Sequence, residues 1–146
     1  MQRALTFEEI KIGDELTPYT KKVIQEAMLR CHEAEAVPHG TTWVDSVDLA
    51  MKSPWHTTET MLPGVLEQAW LCEFMINWLG DAKLWLCGGK AEFKFIAPVL
   101  VNRTITYKGK VIDKVIEGKK RYVICDVFME NDEGSKCMVA TTRAAF

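Results

Sequence analysis

The stretch Leu62-Pro-Gly-Val-Leu-Glu-Gln-Ala-Trp-Leu-Cys-Glu-Phe-Met-Ile-Asn-Trp-Leu-Gly80 decides the fold of this chain. Pro63 stands where a helix would begin, because the N–H group that proline lacks has no partner in a first turn. From Val65 to Leu79 apolar side chains cover almost the whole circumference of the predicted helix, and Gly80 ends it. A helix with this pattern is expected to be buried on nearly all sides. At ~1.5 Å per residue it spans about 22 Å, roughly the width of a small domain.

The residues after this helix alternate between apolar and polar side chains, which is typical of β-strands. A short strand is predicted around Phe93 and Phe95, before Pro98. Longer strands joined by turn sequences at 117–119 and 131–134 are predicted at 104–115, 121–129 and 136–145. Such strands cover a helix only when their sheet curls around it. The sequence therefore predicts an α+β fold, with a curved antiparallel sheet wrapped around one long central helix.

The first part of the chain is predicted to be mostly helical or irregular. Residues 24–35 favour a helix with one apolar stripe. Residues 37–62 are rich in Pro, Thr and Trp, and a short helix is predicted within them from Asp45-Ser-Val-Asp48 to the neighbourhood of Ser53-Pro54. No repeat or linker divides the chain, so residues 1–146 are expected to form a single domain.

Composition excludes several classes of function. The chain has 146 residues, 48% of them hydrophobic and 26% charged, as in a soluble globular protein. Its net charge is −2 without long runs of either sign, so neither a nucleic-acid partner nor a membrane surface is expected. The start resembles no secretory signal, and the 5 cysteines are odd in number and show no Cys-x-x-Cys spacing. We expect a cytoplasmic protein with reduced cysteines, and no metal site because its histidines are scattered at 32, 39 and 56.

A helix wrapped by an antiparallel sheet is the hot-dog fold, and several segments in order resemble one family with that fold. The family is the MaoC-like acyl dehydratases, which include (R)-specific enoyl-CoA hydratases. The resemblance covers nearly the whole chain and is carried by the segments Phe7–Leu16, Val23–Ala27, Leu62–Leu66, Phe93–Val99 and Asp126–Gly134.

The resemblance implies an acyl thioester as ligand, with coenzyme A or acyl carrier protein as part of the substrate and no other cofactor. Many members add water across a trans-2-enoyl thioester. They form homodimers, or heteromers with a related hot-dog chain, in which two sheets become continuous. In the family, a backbone N–H at the start of the central helix binds the thioester oxygen, and the matching region here is Pro63-Gly64-Val65.

The catalytic residues of the family are not preserved. Its usual motif, Gly-Asp-x-Asn-Pro-x-His, provides an aspartate and a histidine that hold one water at the β-carbon. Alignment on Asp48-Leu49-Ala50 places Val44 at the histidine position and His39 at the aspartate position. Valine cannot move a proton, so the standard mechanism is not encoded at these positions.

Three other side chains are candidate substitutes. His39, between Pro38 and Gly40, is either a relocated general base or a solvated loop histidine. His56 lies upstream of Pro63, as the catalytic histidine does in the related acyl carrier protein dehydratases; otherwise it is a surface residue. Glu67, in the first turn of the central helix, is either a base or water-holder, or a capping or dimer-contact residue. In those dehydratases the partner carboxylate falls on Ala69, so a pair of His56 and Glu67 is out of register.

Trp43 and Trp55 lie in the irregular segment that would overhang the substrate tunnel. They indicate a pocket reshaped for a bulky or aromatic acyl group, a pocket filled in entirely, or ordinary packing. Three functions therefore remain open at this point: a hydratase with a non-standard catalytic set, a silent subunit of a heteromeric hydratase, and a thioesterase or acyl-CoA-binding protein.

Overall fold

The computed structural model describes residues 3–146 of the chain. Its elements in chain order are β1 (Tyr19–Lys22), α1 (Gln25–Ala34), α2 (Val47–Lys52), α3 (Gly64–Leu79), α4 (Lys83–Leu86), β2 (Lys90–Phe95), β3 (Thr104–Glu117), β4 (Lys120–Asn131) and β5 (Lys136–Ala145). The strands form one antiparallel sheet in the order β1-β3-β4-β5-β2. The predicted α+β hot-dog fold is confirmed: α3 is the central helix, and the sheet curves around it.

The central helix begins and ends where the sequence predicts. Pro63 is its N-cap, and Gly80 is its C-cap in a left-handed conformation with φ of 73°. The face toward the sheet is buried, and the Phe74 ring stacks on Tyr107 of β3 with centroids 5.8 Å apart. The prediction of burial on nearly all sides is only partly right, because a stripe along the opposite side is exposed in the single chain; it contains Val65, Gln68, Ala69, Glu73 and Asn77.

One prediction in the first part of the chain needs correction. The short helix α2 has Ser46 as its N-cap, whose hydroxyl accepts from the N–H of Leu49, whereas Asp45 lies outside the helix. One oxygen of Asp45 instead accepts from the N–H groups of Thr41 and Thr42, at 3.1 and 2.9 Å. Asp45 therefore holds the preceding loop rather than the helix.

No helix among residues 3–146 has both the length and the apolar character needed to cross a membrane. Cys125 and Cys137 are buried, and all 5 cysteines are free thiols.

Gly80→Ala should destabilise the protein strongly. A β-carbon at this position would lie 2.6 Å from the backbone oxygen of Arg3, and a positive φ is unfavourable for alanine in any surroundings. We expect the free energy of unfolding to fall by more than about 2 kcal/mol, measured by urea denaturation. Gly118→Ala is the matched control: its φ of 64° is similar, but no atom lies within 4 Å of the added carbon, so a loss of only about 1 kcal/mol is expected. Equal losses in the two variants would mean that the clash of the added β-carbon with Arg3 does not contribute to the loss of stability.

Candidate functional site

A mostly apolar pocket lies at the N-terminus of α3. Its volume is about 210 Å³, and three parts of the chain form its walls: the segment before α2, the segment between α2 and the start of α3, and the end of β2 with the residues that follow. The lining residues are Trp43, Trp55, Met61, Leu62, Gly64, Glu67, Phe95, Ala97 and Pro98. A buried acid and unpaired N–H groups distinguish this pocket from the larger groove on the outer face of the sheet.

Glu67 is the buried acid of the pocket. The residue is only 4% exposed, and its Oε2 atom has no hydrogen-bond partner among residues 3–146. Burial raises the pKa of this carboxyl to about 8, because the charged form loses its solvation. Glu67 is therefore mostly protonated at neutral pH, and it stands at the wall of this pocket.

Backbone donors stand beside this acid in the first turn of α3. The carbonyl of Pro63 accepts from the N–H groups of Leu66 and Glu67, at 3.0 and 3.2 Å. The N–H groups of Gly64 and Val65 find no acceptor in the described part of the chain. Free N–H groups at a helix N-terminus attract negative charge, and the helix dipole adds to the effect.

Glycine at position 64 allows an aromatic side chain to pack over the helix start. A β-carbon there would lie 2.8 Å from the ring of Phe95. The end of β2 thereby reaches the pocket, a contact between distant parts of the sequence that the sequence pattern did not reveal.

The positions aligned with the family's catalytic pair lie outside the pocket lining. Val44 is fully buried in the hydrophobic core. His39 is exposed, with Nε2 3.5 Å from Glu33 and Nδ1 3.9 Å from Asp45. His56 is also exposed, and its Nδ1 lies 3.0 Å from the carbonyl oxygen of Met51. Of the candidate site residues, the structure brings together Trp43, Trp55, Gly64 and Glu67, with Pro63 and Val65 adjacent in the chain.

Gln25, the first residue of α1, holds two walls of the pocket in place. Its Nε2 donates to the carbonyl of Val44 at 2.6 Å, next to Trp43. Its Oε1 accepts from the hydroxyl of Thr60 at 2.6 Å, next to Met61. Because this one side chain bonds to both wall segments, it fixes the distance between them at the opening of the pocket.

Gln25→Leu is expected to lower the free energy of unfolding by about 2 kcal/mol, since it leaves the part-buried Thr60 hydroxyl and Val44 carbonyl without these partners. Urea denaturation measures the change. Gln68→Leu, on the exposed stripe of α3, is the control and should change stability by less than about 0.5 kcal/mol. A wild-type stability in Gln25→Leu would contradict this role.

Comparisons with known proteins establish the fold. No protein-family model and no curated protein matches the sequence. Solved structures do match along nearly the whole chain. A MaoC-like dehydratase from Rhodospirillum rubrum has a TM-score of 0.78 at 14% identity, covering 97% of this chain and 96% of that one. An (R)-hydratase from A. caviae involved in PHA biosynthesis has a TM-score of 0.73 at 11% identity, covering 94% and 97%.

A third match is a chain of the HadBC complex, a 3R-hydroxyacyl-ACP dehydratase from Mycobacterium tuberculosis. It has a TM-score of 0.73 at 16% identity, with 92% of this chain and 96% of that chain covered. At these identities the likeness shows a shared fold and not a shared activity. The resemblance to MaoC-like dehydratases and (R)-hydratases is thus confirmed at the level of the fold.

Proposed function

We propose that this chain is a hydratase or dehydratase of 2-enoyl thioesters in which Glu67 replaces the usual aspartate–histidine pair. The observation that carries the proposal is the unpartnered Glu67 carboxyl in an apolar pocket, next to two free N–H groups of the helix start. Hydration of an enoyl thioester requires a side chain that transfers a proton and hydrogen-bond donors that stabilise the charge on the thioester oxygen. Glu67 and the start of the helix are candidates for these two roles.

The thioester carbonyl oxygen accepts hydrogen bonds from the N–H groups of Gly64 and Val65. Ionised Glu67 removes a proton from a water molecule, whose oxygen forms a bond to the β-carbon of the substrate. The electron pair of the double bond moves toward the carbonyl, and the resulting enolate oxygen is stabilised by the same N–H groups. Glu67 then returns the proton to the α-carbon, which completes the addition of one water. Dehydration follows the same steps in reverse.

The coenzyme A or carrier-protein moiety arrives with the substrate, and no further cofactor takes part in this scheme. A homodimer or a heteromer with a related hot-dog chain is expected. The outer edge of β2 is unpaired in the described chain, and one matched structure, HadBC, is a complex. A cytoplasmic location remains a prediction from the sequence.

One observation favours a second function, that of a silent subunit in a heteromeric hydratase. Glu67 is the only titratable side chain that lines the described pocket, whereas the family mechanism uses two such groups. A silent subunit would bind the acyl thioester or shape the tunnel of its partner without turnover of its own.

Hydration of a panel of trans-2-enoyl-CoA thioesters by the purified chain tests the proposal. Loss of the enoyl absorbance without release of free thiol is the expected result. Thiol release would indicate a thioesterase instead. Binding of acyl-CoA without turnover would indicate the silent subunit, and the absence of both binding and turnover would contradict every acyl-thioester function.

A further inference from the structure

The pocket beside Glu67 is open in the single chain and not filled by its own side chains. Its volume of about 210 Å³ exceeds the ~150 Å³ of an apolar cavity that holds a benzene molecule. The space therefore fits one ring together with a short conjugated connection to a thioester. This size and the chemistry of the walls limit the acyl groups that the pocket can bind.

We infer that the acyl group is compact and uncharged and carries one planar aromatic ring, and that 3-arylpropenoyl thioesters fit this pocket better than long aliphatic enoyl thioesters. The inference rests on the proposed function, since it names the substrate class of the same site.

Three aromatic side chains form the outer walls. Trp43, Trp55 and Phe95 are 39%, 50% and 40% exposed, although large aromatic residues normally bury most of their surface. Phe95 packs on Phe93 of the same strand with ring centroids 5.4 Å apart, and all three side chains line the cavity. Ring faces and edges that stand around an empty space bind a planar aromatic group by stacking and edge-to-face contacts.

The inner wall limits the length of the acyl group. Met61 and Leu62 are 2% and 4% exposed, and Leu62 belongs to the same hydrophobic core as Leu71 and Phe74. A long aliphatic chain would have to displace these packed side chains, and displacement of a close-packed core is unfavourable.

The wall chemistry also excludes a charged acyl group. Glu67 is the only ionisable lining residue of the described pocket, and no lysine or arginine lines it. The N–H groups of Gly64 and Val65 bind the thioester oxygen in the proposed scheme, so a carboxylate on the acyl chain would lose its solvation without gaining a partner. A neutral aromatic ring loses contact with water without this cost.

The walls are held in position before a ligand arrives. Trp43 follows the loop that Asp45 holds, its carbonyl accepts from the N–H of Met61 at 3.3 Å, and Gln25 bonds to the neighbouring Val44. A preorganised aromatic slot favours a rigid planar group over a flexible chain, which loses more conformational entropy on binding.

Calorimetric binding to the purified chain tests this inference with saturated ligands that cannot be hydrated: 3-phenylpropanoyl-CoA, hexanoyl-CoA, dodecanoyl-CoA and coenzyme A. We expect the phenylpropanoyl thioester to bind at least about 5-fold more tightly than either aliphatic thioester, because aromatic contacts add to simple burial. Equal or tighter binding of an aliphatic thioester would overturn the inference and leave the proposed function intact. If no acyl thioester binds more tightly than coenzyme A, both the aryl preference and the proposed function would be overturned. Aryl preference without turnover of cinnamoyl-CoA would refute the hydratase alone.

Trp55→Leu tests whether this tryptophan recognises the aromatic ring of the ligand. Phe128→Leu, on the outer face of the sheet, is the control. Trp55 is half-exposed, so its replacement should leave the fold intact. The variant should weaken phenylpropanoyl-CoA binding about 3- to 10-fold and leave hexanoyl-CoA binding within about 2-fold of the wild type, whereas the control should change neither. An equal effect of Trp55→Leu on both ligands would overturn aromatic recognition at this wall.

Discussion

Glu67→Gln is expected to reduce hydration of 2-enoyl thioesters by at least about 100-fold, because a positioned proton-transfer group contributes ~10²–10⁴-fold to a rate. Glutamine is close to glutamate in size and can occupy the same buried place, but it cannot accept and return a proton. Since only the proton-transfer step is removed, the loss should appear in kcat, with little change in the binding of a saturated acyl-CoA.

Glu73→Gln is the matched control for this experiment. Glu73 lies on the same helix, but it is exposed and pairs with Lys21 of β1 at 3.1 Å. Its replacement should leave turnover within about 2-fold of the wild type. Similar losses in the two variants would indicate damage to the helix and contradict a specific role of Glu67.

The pH dependence of the wild-type rate follows from the same carboxyl. Because the scheme requires ionised Glu67, and burial raises its pKa to about 8, kcat/KM should rise with pH and level off above about pH 8. A rate that falls through this range would assign Glu67 the role of an acid instead of a base.

The stability of the folded chain should depend on pH through the same carboxyl. Glu67 has a pKa of about 8 in the folded chain against an ordinary value of 4.5, so between these pH values the native state binds a proton that the unfolded state has released. The contribution of this carboxyl to the free energy of unfolding should therefore be largest below pH 4.5 and decline as the pH rises toward 8, by on the order of 5 kcal/mol in total.

Urea denaturation of the wild type and of Glu67→Gln at several pH values measures this decline. Glutamine remains neutral, so the variant should lose little stability over this range and should be the more stable protein above pH 8. Asp45 and Glu73 do not interfere, because hydrogen bonds to Asp45 and to Glu73 lower their pKa values and place their titration in more acidic solution. Parallel curves for the two proteins would mean that Glu67 is not buried as a neutral acid.

Much of the fold follows from local sequence pattern. The predicted strand 136–145 coincides with β5, and the central helix ends at Gly80 as expected. Strand β1 cannot be predicted from local pattern, because Tyr-Thr-Lys-Lys has no apolar alternation. Its inner side includes Lys21, which pairs with Glu73 of the central helix. Only the tertiary contact makes those four residues a strand.

The candidate site was only partly predictable, for a similar reason. The position of Glu67 in the first turn of a buried helix identified it as a candidate, and the two tryptophans were expected near the tunnel. Its high pKa depends on how completely distant segments exclude water, and the contribution of Phe95 depends on the close approach of β2 to Gly64. Neither property can be read from a local pattern. Ala69, where a related family has its carboxylate, is exposed on the other side of the helix.

The role of Glu67 as the proton-transfer group is tested most directly by a ¹³C NMR titration of its side-chain carboxyl, with and without saturating phenylpropanoyl-CoA. The signal is assigned by its absence in Glu67→Gln. We expect a pKa near 8 in the free protein and a clear change in the Glu67 signal when the thioester binds. A pKa near the ordinary 4.5, or a signal that does not respond to a bound acyl thioester, would contradict the assignment of Glu67 as the proton-transfer group of an acyl-thioester site.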